Sequence, residues 1–351
     1  MNSCTLTNMN NFCPDSRNTR GPLQSFLITA TSLGLVSFSL LSICLTNVAA
    51  QDEAPLLKQR IAELEAENRA LRKILTEIGN TLKEVPASST TLKINQDGLR
   101  IIVMPGDWGE SQIADIKRVA ESAAHPIASL LNERRFAPII LQRSKSGPIT
   151  LYKRGVGNEY QVRLDTSDRA WAQLAFQFAH EFCHIVCNYR DAKNPQIWFE
   201  ETLCECASLY SLRRMGENWK TNPPYSNWKS YATALTDYAN TRVNAQNAKT
   251  KSVAEFYHEN KRELERSGTN RELNNFIAVK LLPLFEDSPE SWHSLRYLNL
   301  GNPEENLSLE EYLEGWHQRV PERHREFILR VSKLFEVELV EIELDNAGLK
   351  K

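Results

Sequence analysis

Hydrophobic and polar positions follow a different rhythm in each of four successive stretches of the chain. From Phe26 to Val48 no charged residue occurs. From Leu57 the apolar positions recur every seven residues, with Leu57, Leu64, Leu71 and Ile78 in one register and Ile61, Asn68, Leu75 and Leu82 in the other. That period predicts a coiled-coil helix over residues 51–85. The polar Asn68 in an apolar register favours a parallel homodimer through residues 57–82, because a buried amide is satisfied by its own twin. Arg60 facing Glu65, and Glu67 facing Arg72, agree with that pairing. A single amphipathic helix packed on its own domain is the simpler alternative.

After Pro86 and a Ser/Thr linker the period changes again. The runs Leu99–Met104, Pro138–Gln142, Ile149–Lys153 and Tyr160–Leu164 read as strands bounded by Gly, Pro, Ser and Asn turns. Between the first two, Ile113, Ile116, Val119, Ile127 and Leu130 recur at helical spacing. From Asp168 onward the pattern is almost wholly helical. Strands first and helices after predict an α+β fold. Its parts are a small mixed sheet and then a mainly helical domain over residues 96–351, joined by a linker at 86–95 to the coiled coil.

Composition narrows the class without naming a function. The 351 residues are 41% hydrophobic and 25% charged with a net charge of -2, which excludes a disordered chain and leaves no broad basic field for nucleic acid. The first fifty residues place Arg17 and Arg20 before the uncharged run and Val48-Ala49-Ala50 after it. This is the pattern of a secretory signal peptide cleaved after Ala50. The run is also long enough for an uncleaved membrane anchor through residues 26–48. Both readings put the rest of the chain outside the cytoplasm: periplasmic, secreted or anchored in the membrane. Cys44 resembles a lipidation site, but Ile43 is too bulky for one.

The candidate chemistry lies between Asp165 and Leu212. Thr166, Ser167 and Asp168 offer a helix N-cap, and Trp171, Leu174, Phe178, Phe182 and Ile185 mark the buried side of the helix that follows. That helix carries His180-Glu181-Phe182-Cys183-His184. Histidines at i and i+4 stand one turn apart on one face, so both rings reach one metal ion, and Glu181 projects where it can take a proton from water. A catalytic zinc site requires a third protein ligand. Trp198-Phe199-Glu200-Glu201-Thr202-Leu203-Cys204-Glu205 supplies candidates on a second helix. Glu201 is the favoured ligand; Glu200 is the rival, about 100° around the helix. Glu205, one turn beyond Glu201, is placed to accept a hydrogen bond from the free nitrogen of a ligand histidine.

These two segments resemble those of the gluzincin zinc metallopeptidases, the group of thermolysin and the aminopeptidase-N-like enzymes, over roughly residues 159–215. The resemblance implies a zincin-like fold holding a single Zn2+ on His180, His184 and Glu201, with Glu181 as general base and Glu205 behind the ligands. It also implies that Tyr160–Leu164 is the edge strand that holds an extended peptide. Three features depart from the family pattern. The gap from His184 to Glu201 is short, Thr202-Leu203-Cys204 replaces the usual Gly-x-Ala, and no signature for gripping a free amino terminus is present. The oxyanion donor is open among Tyr225, Tyr231, Tyr238, His258 and His293.

Removal of the leader leaves Cys183, Cys187, Cys204 and Cys206. In an oxidising compartment they suggest one or two disulfides between the two helices, with buried free thiols or a separate four-cysteine zinc site as alternatives. Trp292, Tyr297, Tyr312, Trp316 and Phe327 read as the core of the C-terminal helices. The run Arg319–Arg330, basic but mixed with acids, reads as a solvated face, and Glu336–Glu343 as a terminal strand. The expected function is an exported zinc-dependent peptidase acting on a peptide or protein substrate. The alternative is a catalytically silent, peptidase-like envelope scaffold or binding protein dimerised by its coiled coil.

Overall fold

The strand-like runs pair as their alternation requires, in a computed structural model that describes residues 99–131, 135–302 and 304–339 together with Ala62 and Arg69. The leader, the heptad segment apart from those two helical residues, the linker and the last part of the expected terminal strand lie outside the described residues. The chain divides into two units, residues 1–89 and 90–351, and the architecture that follows is that of the second.

Strands β1 (Ile101–Val103), β2 (Ile139–Arg143), β3 (Ile149–Thr150) and β4 (Tyr160–Leu164) form one sheet in the order β1-β2-β4-β3. β1, β2 and β4 are parallel, and β3 turns back antiparallel on β4. Ile139, Leu141, Val162 and Leu164 are fully buried, as the every-second-residue pattern demands. Tyr160–Leu164 is therefore an inner strand, and the expectation that it forms the edge is corrected: the edges are β1 and the two-residue β3. The reason is topological. β2 and β4 pair in parallel over five residues, and the turn between them folds β3 onto the far side of β4.

Helix α1 (Ile113–Ala128) buries Ile116, Val119, Ala120, Ala123, Ala124 and Ile127 beside β1. Next come α2 (Trp171–Val186) and α3 (Ile197–Trp219), whose mutual contact is the largest between any two helices described. Around them stand α4 (Ala232–Asn247), α5 (Val253–Arg266), α6 (Arg271–Asp287), α7 (Leu309–Arg319) and α8 (Arg325–Leu334). The predicted stripe of α2, Trp171, Leu174, Phe178, Phe182 and Ile185, is buried throughout. α3 is buried on nearly every side from Trp198 to Trp219, including Glu200, Thr202, Glu205, Ser208 and Ser211, and is the central helix of the bundle. Among the described residues no helix is long and apolar enough to cross a membrane.

Two local expectations change. α2 begins at Trp171 without a side-chain cap, because Asp168 is occupied elsewhere. It sits at φ 54°, accepts the Glu110 amide at 3.0 Å and packs over Gly109, where an added Cβ would lie 2.1 Å from the Asp168 carboxylate. Arg319, read as part of a solvated face, is instead structural. Its guanidinium donates to the carbonyls of Tyr297 and Leu298 at 3.0 and 2.9 Å, and His317 and His324 nearby are buried. The C-terminal aromatics Trp292, Tyr312, Trp316 and Phe327 are core, as read.

Candidate metal centre

Where α2 crosses α3, two imidazoles meet three carboxylates. The rings of His180 and His184 lie 5.1 Å apart at 70°, as expected for neighbours one helical turn apart. Each turns its Nε2 toward Glu201: His180 Nε2 is 3.2 Å from one carboxylate oxygen, and His184 Nε2 is 3.6 Å from the other. The opposite ring nitrogens are also backed by acids. His184 Nδ1 lies 2.7 Å from Glu200, and His180 Nδ1 lies 3.8 Å from Glu205. The structure thus brings His180, Glu181, His184, Glu201 and Glu205 together.

It also gives Glu200 a place that the sequence had not assigned. Rather than competing for the front of the site, Glu200 clamps the back of His184. Its second oxygen accepts the Asn299 amide at 2.6 Å, and Asn299 in turn accepts from the Tyr312 hydroxyl at 3.4 Å. The loop bearing Asn299 is held by the Arg319 contacts and by Asn188, which donates to the Arg296 carbonyl at 2.6 Å. Glu200 and Glu205 are more deeply buried than Glu201, which opens to solvent.

Electrostatics follow from this crowding. Burial disfavours the charged form of His184, but the hydrogen bond and charge of Glu200, with Glu201 and Glu181 behind, overcome it and carry the pKa up to about 10. His180 moves the same way: burial opposes its charge, and Glu201, Glu205 and Glu181 outweigh it. Glu201 is held below the ordinary carboxylate range, its burial outweighed by both histidines and by Arg271. Burial raises Glu205. The carboxylates around the two rings thus favour the protonated form of each.

Donor atoms of His180, His184 and Cys204 lie within 4.8 Å of one another, so these three residues form one group that could hold a metal ion. Cys204 is fully buried and does not line the cleft, whereas Glu201 does. Two imidazoles beside a carboxylate, with an open side toward solvent, are donors of the kind that a divalent metal ion takes.

The four cysteines are free and wholly buried, so the expected disulfides are not formed. Cys183 and Cys187 share one helix with sulfurs 4.0 Å apart. Cys204 and Cys206, two residues apart on α3, point about 200° from each other and cannot both reach them. Burial pushes the thiols of Cys187, Cys204 and Cys206 well up, whereas contacts with the Cys187 and Cys204 sulfurs outweigh burial at Cys183 and bring it down to about 7.

The site opens into a cleft of about 410 Å³ walled by β3, α2, α3 and the start of α6. Thr150 on β3 donates its hydroxyl to the Glu181 carboxylate at 2.8 Å, fixing the carboxylate beside the histidines. Tyr152 and Tyr189 stack at 5.8 Å and line the same wall. Tyr189 donates its hydroxyl to the Leu151 carbonyl, and burial pushes its pKa up to about 12. The Tyr152 side chain is half exposed and its hydroxyl bonds no described residue. None of Tyr225, Tyr231, Tyr238, His258 and His293 lines the cleft. Thr150, Tyr152, Asn299 and Arg271 carried no motif, since each reaches the site from a distant part of the chain.

No family model, curated protein or solved structure matches the chain.

Proposed function

We propose that this chain is a zinc-dependent peptidase of gluzincin type, with His180, His184 and Glu201 as metal ligands and Glu181 as general base. One observation carries the reading: both Nε2 atoms of the HExxH pair face the two oxygens of Glu201, beside a positioned Glu181, in an open cleft. Zinc bound there would polarise a peptide carbonyl and acidify water. Glu181, oriented by Thr150, takes the proton released as water attacks and returns it to the leaving amine. The Tyr152 hydroxyl, free within the cleft, donates to the oxyanion. β3, at the edge of the sheet and along the cleft wall, offers main-chain groups to an extended substrate.

Export through residues 1–50 and pairing through residues 57–82 belong to the same proposal. The test is zinc content beside turnover of a peptide library by the full chain and its Glu181→Gln variant. Zinc with turnover that vanishes in the variant supports the reading. Zinc without turnover by the native chain would make the protein a non-catalytic scaffold.

A further inference from the structure

The charged side chains that line the cleft are nearly all engaged. Glu181 is bound by Thr150, Glu200 by His184 and Asn299, Glu201 by the two histidines, and Arg190 by the Gly301 carbonyl. Arg271 is the exception. It lines the same cleft and is exposed, yet it makes no hydrogen bond or ion pair with any described residue.

Its backbone, by contrast, is firmly held. The turn before it is closed by the Ser267 amide on the Glu263 carbonyl at 2.9 Å and by the Asn274 side chain on the Gly268 carbonyl at 2.7 Å. Asn270 caps α6 through the Leu273 amide, which leaves Arg271 in the first turn, at the positive end of a 17-residue helix. Its neighbour Glu272 turns away toward Lys249, at 3.8 Å. Arg271 lines the cleft together with His180, Glu181, His184 and Glu201, so a ligand in that cleft meets both the guanidinium and the candidate metal residues. A fixed base, an unpaired planar guanidinium and an open cleft make a receptor for an anion that accepts a bidentate hydrogen bond.

We propose that Arg271 is a specificity-determining residue that receives a substrate carboxylate, so that the cleft selects acidic peptides. This rests on the peptidase reading for the identity of the ligand, because carboxylate is the anion that a peptide supplies. Its two sources are an Asp or Glu side chain near the scissile bond and a free C-terminus.

The experiment uses the purified, zinc-loaded full chain and matched peptides that differ by Glu against Gln at each position flanking the cleaved bond, each made with a free and an amidated C-terminus. Binding is measured by fluorescence anisotropy on the Glu181→Gln variant and turnover on the native enzyme. The expected result is a preference of about tenfold or more for the carboxylate-bearing peptide. It falls toward unity in Arg271→Ala and is partly kept in Arg271→Lys, which retains the charge but not the fork. Loss on amidation assigns the carboxylate to the chain end, and loss on Glu-to-Gln exchange assigns it to a side chain; either supports the role. Preferential binding without turnover by the native chain keeps the role of Arg271 and refutes the peptidase reading. Equal binding of all peptides, binding of none, or a preference that survives Arg271→Ala with melting unchanged overturns the proposal.

Discussion

The crossing of α2 and α3 and the cleft wall facing it are built in opposite ways. In the crossing, every group that faces the candidate metal lies between His180 and Glu205, and helical spacing alone sets each relation along α2 and along α3. The wall draws Thr150 and Tyr152 from the sheet region, Arg271 from the start of α6 and, behind the site, Asn299 from the loop before α7. On the proposed reading, the half that would hold the metal is a local object and the half that would handle substrate a tertiary one. Changes in the first should alter metal content or abolish chemistry, whereas changes in the second should tune rate and selectivity.

The sharpest way to break this division is Glu181→Gln. It should lower kcat by about 10²–10⁴-fold, the usual contribution of a general base, while zinc content stays equal to that of the native chain. Steady-state kinetics beside atomic absorption decides it, and a fully active variant would contradict the assigned role. Tyr152→Phe comes next, with kcat down by about 10²-fold and KM little changed, as for the loss of one oxyanion donor. Tyr189→Phe should cost less, because that hydroxyl is already committed to the Leu151 carbonyl.

The two histidines allow a finer cut. His184 is backed at 2.7 Å by Glu200 and His180 at 3.8 Å by Glu205, so Glu200→Gln should weaken zinc binding by about 10–100-fold and Glu205→Gln by less. Competition with a chromophoric chelator measures both. Asn299→Ala should follow Glu200→Gln in direction with a smaller effect, since it acts only through that carboxylate.

The smallest effect concerns the metal-free protein. The folded-state pKa of His184 is raised from 6.5 to about 10, so its protonation stabilises the fold fully below about pH 6.5, and that contribution is lost as pH rises through 10. Melting of the metal-free chain should therefore fall between those limits. With zinc bound the decline should shrink, because the ion replaces the proton. Scanning calorimetry across pH, with and without zinc, checks both slopes.

This contrast also explains what could be read in advance. Periodicity located α2, α3 and the strands because apolar spacing records burial directly, and His180, Glu181, His184 and Glu201 followed from spacing on those helices. The same logic placed Glu205 near one of the two histidines, and its carboxylate lies 3.8 Å from His180 Nδ1. It left Glu200 as a rival ligand without foreseeing its contact with His184 Nδ1, since two carboxylates 100° apart can still embrace one ring when its two nitrogens diverge. The edge strand was misassigned because a strand's neighbours are set by the return path of the chain and leave no mark in its own residues. Arg319 looked like a surface charge for a related reason: its carbonyl partners at Tyr297 and Leu298 carry no side-chain signature. The oxyanion donor was left open among residues downstream of the motif, whereas Tyr152, proposed above for that role, lines the cleft from upstream of it.

Zinc stoichiometry tests the central claim most directly, measured on the purified full chain beside His184→Ala, Glu201→Ala and Cys204→Ala. A single zinc per chain that is lost or sharply weakened in the first two variants and retained in Cys204→Ala is the result this account predicts. Zinc retained in Glu201→Ala but lost in Cys204→Ala would move the metal onto the buried thiol and away from the cleft, contradicting it.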